Sequence, residues 1–388
     1  MQNKESRTTD ESERRMKEQH IKVTRISESE ERWNSGSHSD RCIYEITNRM
    51  SGSRCTDLKE AKKMKSEPFT AAIIQQPPVF LNSEESLKRA CTLIEEAAEK
   101  GADVITFPET WLPGYPVWLD FSPKAALWDY SPAKVLYRLL VENSVTIPGN
   151  HLKKLLEMAQ KTDTHIIMGA HELLGGTLYN TMIFIDKREK FKVHRKLMPT
   201  YTERMIWGRG DGSTLAVLPT EYGNIGGLIC WEHWMPLTRA AMHCQYETVH
   251  IAQWPMVKEL HHIASRHYAF EGQCFVLAAG CCLTKGEIME GVHSLHQSNK
   301  ASELLETIPG GEKDFILKGG SAVIAPDTTY IQGPVYNDPC TIYADITLDL
   351  ITEGRLFLDT HGHYARPDVF HLTVNDQPQL GVTFESQV

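Results

Sequence analysis

The stretch that most constrains this chain is Gly226-Gly227-Leu228-Ile229-Cys230-Trp231-Glu232-His233-Trp234-Met235-Pro236-Leu237. Ile225 to Ile229 is a short, glycine-marked apolar run that predicts a buried strand. The strand delivers Cys230 to its C-terminal end, and the polar and aromatic residues that follow open a helix. A cysteine at such an elbow is placed for nucleophilic work, because main-chain N–H groups at a helix start favour a thiolate and can later hold an oxyanion. Taken alone, the stretch is equally compatible with a small buried apolar cysteine.

Two earlier stretches shift that balance. Val104-Ile105-Thr106-Phe107-Pro108-Glu109 predicts a strand ending on a carboxylate. Phe191 to Pro199 offers Lys196 just before a proline-bounded loop. A carboxylate base, an ammonium and a thiol form a working set for attack on a carbon–nitrogen multiple bond.

With these residues in view, the chain resembles the nitrilase superfamily, and its nitrilase branch in particular. The matching blocks are FPE at Phe107–Glu109, HRKLMPT at His194–Thr200, ER…WGRGDGS from Glu203 to Ser213, CWEH at Cys230–His233 and GHYARPDVF at Gly362–Phe370. Ordered blocks of this kind are far more specific than a single short motif. The resemblance covers roughly residues 69–374. It implies a four-layer αββα sandwich and a catalytic set of Glu109, Lys196 and Cys230. Glu203 is then a second glutamate positioning Lys196 and the attacking water, although its neighbours Arg204 and Arg195 offer an ordinary salt bridge instead. The resemblance also implies an oxyanion donor in the main-chain N–H of Trp231, hydrolysis of a nitrile to acid and ammonia, and no metal or organic cofactor. Cyanide and amide hydrolysis are the rivals within the family, and an inactive nitrilase-fold scaffold the rival outside enzymology.

Composition narrows the partners. A formal net charge of −9 with no basic face argues against nucleic acid. No stretch approaches the roughly 20 apolar residues of a membrane helix. Nine cysteines, scattered without CxxC pairs and without a signal peptide, fit a reducing, cytoplasmic setting. HExxH, GxxxxGK[ST] and dinucleotide fingerprints are absent from the sequence, so zinc hydrolysis and nucleotide use lack support. A papain-like arrangement would require a histidine beside Cys230.

Residues 1–68 mix charges of both signs with Ser, Thr and Asn and carry few apolar residues. They read as a disordered extension, or as an over-called start upstream of Met50 or Met64. Residues 69–374 form the folded domain and residues 375–388 a C-terminal tail. Within the domain, a strand over 70–75, a helix capped by Ser83 and a strand over 104–107 begin a repeating strand–helix–strand pattern. Further strands are expected at 165–168, 178–185, 215–217, 248–252, 275–279, 321–324 and 341–346, with a helix over 151–161. The aromatic-rich segment 115–149 suggests a pocket wall or lid, with Tyr115, Trp118 and His233 as candidate substrate-binding residues. The polar segment 285–318 reads as a loop. The resemblance further implies assembly into a homo-oligomer, from dimers up to spirals, through helices near 234–242 and 258–272.

Overall fold

The alternation of buried residues along the strands organises the molecule. In β1 (Phe69–Ile74), Ala72 and Ile74 join one apolar cluster while Ala71 and Ile73 join another. Successive side chains of a strand point to opposite faces, so a strand apolar on both faces must be covered twice. The computed structural model, which describes residues 68–296 and 299–379, meets that demand with two sheets between helices. The extension expected over residues 1–68 lies almost wholly outside the described residues.

With strands numbered in chain order, the first sheet runs β13 (Thr341–Ile346), β1, β2 (Val104–Thr106), β3 (His165–Leu174), β4 (Thr177–Ile185), β5 (Phe191–Arg195). The second runs β10 (Cys282–Thr284), β11 (Phe315–Ile324), β9 (Phe275–Ala279), β8 (Glu247–Gln253), β7 (Gly223–Ile229), β6 (Leu218–Thr220), with β12 (Tyr330–Tyr336) paired to β11. The centre of each sheet is parallel: β1, β2 and β3 in one, β7, β8 and β9 in the other. Helices α1 (Ser83–Glu99) and α4 (Asn150–Thr162) send Leu87, Leu93, Ile94, Leu152 and Leu155 into the cluster on the outer face of the first sheet. Each such side chain contributes about 1.5–3 kcal/mol by leaving water. The second cluster takes Ile73, Ile167 and Phe184 from the first sheet, Leu228, Ile251 and Leu277 from the second, and Met242, Ala264 and Tyr268 from α5 (Pro236–His243) and α6 (Glu259–Gly272). The layers are therefore helix, sheet, sheet, helix, the αββα sandwich. No helix among the described residues is long and apolar enough to cross a membrane.

The structure departs from the sequence expectations in three places. Segment 285–318 is not a loop: it holds α7 (Lys285–Ser294), α8 (Asn299–Leu305) and the start of β11. Its apolar anchors are few but helically spaced, Ile288 with Val292 and Ala301 with Leu304, Leu305 and Ile308, and all are buried. A capping box starts α7, with Thr284 and Glu287 bonding each other's main-chain N–H groups. The strand expected at 215–217 lies three residues later, because a tight hairpin pairs Thr220 with Gly223 and sets the ladder from there. The cap of α1 is Asn82, whose side chain accepts from Glu85 N–H at 3.2 Å, rather than Ser83. Segment 115–149 holds α2 (Trp118–Phe121) and α3 (Ser131–Glu142), and α3 packs on α8.

Candidate active site

Parallel strands deliver side chains at their C-terminal ends, and β2 and β7 do so from facing sheets. Beyond β2 the chain turns through Phe107 and Pro108 to Glu109, whose N–H lies 3.4 Å from the Trp254 carbonyl just past β8. Gly169 allows the turn, since a Cβ there would sit 2.1 Å from the Pro108 carbonyl oxygen. Beyond β5, Lys196 is pinned through its own N–H to the Asn180 carbonyl of β4 (2.8 Å) and through its carbonyl to Gly210 N–H (2.8 Å). Gly210 has to be glycine, because a Cβ would meet the Arg195 carbonyl oxygen at 2.2 Å. At the end of β7, Cys230 adopts φ +56°, the left-handed region that costs a residue with a side chain on the order of 1–3 kcal/mol.

The three side chains meet in the interior. Lys196 Nζ donates to Glu109 Oε1 at 2.8 Å and to Glu203 Oε2 at 2.7 Å. One carboxylate oxygen each of Glu109 and Glu203 and the Cys230 sulfur all lie within 4.8 Å of one another. Asn180 Nδ2 donates to Glu109 Oε1 at 2.7 Å, and Glu109 Oε2 has no hydrogen-bond partner among the described residues. Glu203 accepts from Thr200 N–H at 2.6 Å and from the Tyr115 hydroxyl at 3.1 Å. A divalent cation among these ligands would have to displace the ammonium that already bridges the two carboxylates.

Burial sets the electrostatics. It pushes Glu109 up to about 7, against the pull of Lys196 and with a further push from Glu203. Burial and the Glu109 charge hold the Cys230 thiol well above its ordinary range, although Lys196 and the Trp231 N–H oppose them. Burial works against the Lys196 charge, but Cys230, Glu109 and Glu203 outweigh it and the ammonium is held well above its usual range. The resting set is therefore a protonated thiol beside a carboxyl that titrates near neutrality and a permanent cation. Such a set can pass the thiol proton to Glu109 as the sulfur attacks.

Residues 70–356 match the carbon-nitrogen hydrolase family. The chain is 36% identical to Nitrilase 2 of Arabidopsis thaliana, over 82% of this chain and 92% of that protein. It is 35% identical to the bifunctional nitrilase/nitrile hydratase NIT4 of Oryza sativa subsp. japonica, over 81% of this chain and 86% of that protein. The crystal structure of Saccharomyces cerevisiae Nit3, of branch 10 of the nitrilase superfamily, superposes with a TM-score of 0.56 at 18% identity, covering 79% of this chain and 99% of that one. The chain belongs to the carbon-nitrogen hydrolase family, in its nitrilase branch. It is an enzyme that hydrolyses carbon–nitrogen bonds other than peptide bonds.

Within this carbon-nitrogen hydrolase, Glu109, Lys196, Glu203 and Cys230 come together. Glu203 pairs with Lys196 and not with its arginine neighbours: Arg195 forms two bonds of 2.7 Å to Glu172, and Arg204 donates to the Pro199 carbonyl. The Trp231 N–H points at the Cys230 sulfur, while the residue as a whole is 43% exposed. Tyr115 reaches Glu203. Trp118 is 2% exposed and stands edge-on to Phe80 at 6.2 Å between ring centroids. His233, expected near substrate, is instead fully buried, stacked on Trp254 and bonded through Nδ1 to the Cys230 main-chain oxygen at 2.7 Å. It faces the Cys230 backbone and not the sulfur, so a papain-like pair is not formed.

Sequence reasoning missed Asn180, Trp207 and the bracing role of Glu232. Asn180 stands among Thr177, Tyr179 and Thr181 on one strand, and nothing in that run marks its amide out from the other polar residues. Trp207 donates to His171 Nδ1 at 3.0 Å, and its ring lies 5.7 Å from Lys196 Nζ. Glu232 accepts from Ile229 N–H (2.7 Å), Leu197 N–H (2.7 Å) and His194 Nε2 (2.9 Å), tying the Lys196 strand end to the cysteine elbow. The Trp-Glu pair after the cysteine was visible, but no local pattern says that its carboxylate bridges two sheets.

Proposed function

We propose that this enzyme hydrolyses an organic nitrile to the carboxylic acid and ammonia, with Cys230 as nucleophile, Glu109 as general base and acid, Lys196 as electrostatic clamp and Glu203 as its positioning partner. The observation that carries the reading is the Lys196 ammonium bridging Glu109 and Glu203 beside a left-handed Cys230, in a chain 36% identical to a nitrilase over 82% of its length. Glu109 takes the thiol proton as the sulfur bonds the nitrile carbon, and returns it to the nitrogen to give a thioimidate. A water deprotonated by Glu109 adds to that carbon, with the Trp231 N–H and Lys196 steadying the developing charge. Breaking the C–N bond releases ammonia and leaves a thioester. A second water breaks the C–S bond, releasing the acid and restoring the thiol. If the tetrahedral species breaks its C–S bond first, an amide leaves after one water, and the rice relative named for both activities makes that branch a specific second reading.

Tyr115 and Trp118 are the pocket residues in this proposal, Tyr115 through its bond to Glu203. Trp118→Ala separates two roles. Loss of its packing on Phe80 is expected to cost about 3–5 kcal/mol of stability. If the indole also borders the substrate's R group, the ranking of a short aliphatic, a branched and an aryl nitrile changes by about 1–3 kcal/mol in kcat/KM. Acid, amide and ammonia are quantified for the three nitriles with wild type and variant. No acid or ammonia from any nitrile would remove the proposed activity, and an equal slowing of all three by the variant would remove the wall.

Assembly is proposed through α5 and α6, where Leu237, Leu260, Ile263 and Phe270 are 68%, 46%, 49% and 45% exposed. Such side chains on adjoining helices suit a second copy of the chain. Sedimentation is expected to give particles of at least two 44.0 kDa chains, and a monomer at micromolar concentration would remove the proposal. A cytoplasmic setting belongs to the same reading, on the cysteine pattern, and cell fractionation tests it.

A further inference from the structure

Four buried polar side chains that the proposed chemistry does not use form one hydrogen-bonded file ending at the nucleophile's main chain. His233 Nδ1 lies 2.7 Å from the Cys230 oxygen, and His233 Nε2 lies 3.0 Å from His250 Nε2. His250 Nδ1 lies 2.8 Å from Glu247 Oε1, and the Tyr268 hydroxyl donates to Glu247 Oε2 at 2.5 Å. None of the four is more than 2% exposed. The glycine at 226 belongs to the same arrangement, since a Cβ there would stand 1.8 Å from Glu247 Oε1. The chain thus leaves a gap in β7, four residues before the nucleophile, that the Glu247 carboxyl fills.

Proton counting decides how the file is ordered. A carbonyl oxygen only accepts, so His233 Nδ1 carries a proton. A neutral His233 then offers a lone pair at Nε2, so the proton between the two rings sits on His250 Nε2. A neutral His250 offers a lone pair at Nδ1, so Glu247 must donate to it. The alternative with the same number of protons, a His250 imidazolium beside a Glu247 carboxylate, places two charges where burial disfavours both. Burial holds His233 and His250 well below the ordinary histidine range. Burial pushes Glu247 up to about 7, with Tyr268 and His243 pulling the other way. The groups that face Glu247 are His250 on its own strand, His243 from α5, Tyr268 from α6, and Cys274 ahead of β9, while Glu271 of α6 acts on Tyr268 and bonds His243; β7 presents only backbone at Gly226.

We propose that Glu247 is a positioning residue for the nucleophile: as a neutral carboxylic acid it sets the tautomers of His250 and His233, so that the His233 Nδ1–H holds the Cys230 carbonyl and the left-handed turn that carries the sulfur. The proposal rests on Cys230 being the nucleophile. Removing the Glu247 proton breaks the file at one joint. Either a carboxylate faces a lone pair on His250, or two Nε2 lone pairs face each other, or His233 turns its proton inward and releases Cys230.

Glu247→Gln reproduces the neutral acid, because its amide N–H donates to His250 and its oxygen accepts from Tyr268. Glu247→Leu keeps the volume and removes the donor. Expected results are near wild-type kcat for Glu247→Gln, and for Glu247→Leu a kcat lower by about tenfold or more with KM little changed. A carboxyl raised in the folded state stabilises at pH below its unfolded range, and that contribution is lost as pH rises through about 7. The melting temperature of wild type therefore falls relative to Glu247→Gln over that interval. Histidine 15N NMR of the wild-type enzyme at pH about 6, below the Glu247 value of about 7, is expected to show His233 protonated at Nδ1 alone and His250 at Nε2 alone, a readout that does not depend on turnover. An imidazolium at His250 in wild type, or a folded Glu247→Gln as slow as Glu247→Leu, would overturn the proposal. Loss of the nucleophile role itself is read separately, from Cys230→Ala.

Discussion

Cys230→Ala is expected to lose nitrile turnover while its melting transition stays close to that of wild type. Removing an attacking atom from a catalytic set of this kind lowers kcat by on the order of a millionfold. Stability changes little because the lost atom is one sulfur. The left-handed backbone at position 230, with φ +56°, is no more costly for alanine than for cysteine, and Glu232 and His233 brace the elbow through main-chain atoms. Cys230→Ser is expected to be nearly as inactive, since burial and the Glu109 charge already hold the more acidic thiol up, and an alkoxide is harder still to form. Ammonia release from nitrile is the assay. Turnover by purified, folded Cys230→Ala would refute the mechanism.

Lys196→Met is expected to lose activity and stability together. Its ammonium is the shared partner of two buried carboxylates, at 2.8 and 2.7 Å. Without it Glu109 and Glu203 face each other in the interior, and breaking a buried pair in this way costs about 3–5 kcal/mol. The sign of the pH dependence follows from Glu109. Its folded value already lies near 7, above the ordinary 4.5, and loss of the cation raises it further. The variant relieves the repulsion by keeping a proton, so its deficit is smaller at pH about 5.5 than at about 8. Adding Glu203→Gln to Lys196→Met is expected to return part of the stability and none of the activity. Urea unfolding at the two pH values checks this. A single variant as stable as wild type at the higher pH would mean that the carboxylates do not depend on the lysine.

The blocks that carry the proposed catalytic residues are readable because each is local: a strand end, one carboxylate, ammonium or thiol, and a glycine or proline turn. Segment 285–318 reads as a loop in sequence because only a few anchors, such as Ile288 and Val292, show its helical spacing among polar neighbours. What covers those anchors, including α3 packing on α8, comes from far away in the chain. Closeness to Cys230 in sequence suggests a substrate-side place for His233, yet a five-residue 3-10 turn over Cys230–Trp234 rotates it onto Trp254 and the main chain. A spacing argument tuned to helix and strand periods does not foresee that turn.

By itself the sequence determined the doubly apolar strands, hence the need for cover on both faces, and it determined where a carboxylate, an ammonium and a thiol leave those strands. Those properties are local, set by side-chain type and by the two-residue period of a strand. Only the tertiary structure decided that Glu109, Lys196, Glu203 and Cys230 share one buried site, and therefore that the Glu109 carboxyl titrates near 7 rather than as an ordinary acid. It alone decided that Glu247, distant from the sulfur's chemistry, sits in the gap left by Gly226. Desolvation and hydrogen-bond order depend on which distant segments exclude water from a group, and that is a property of the packed sheets, not of any stretch of chain.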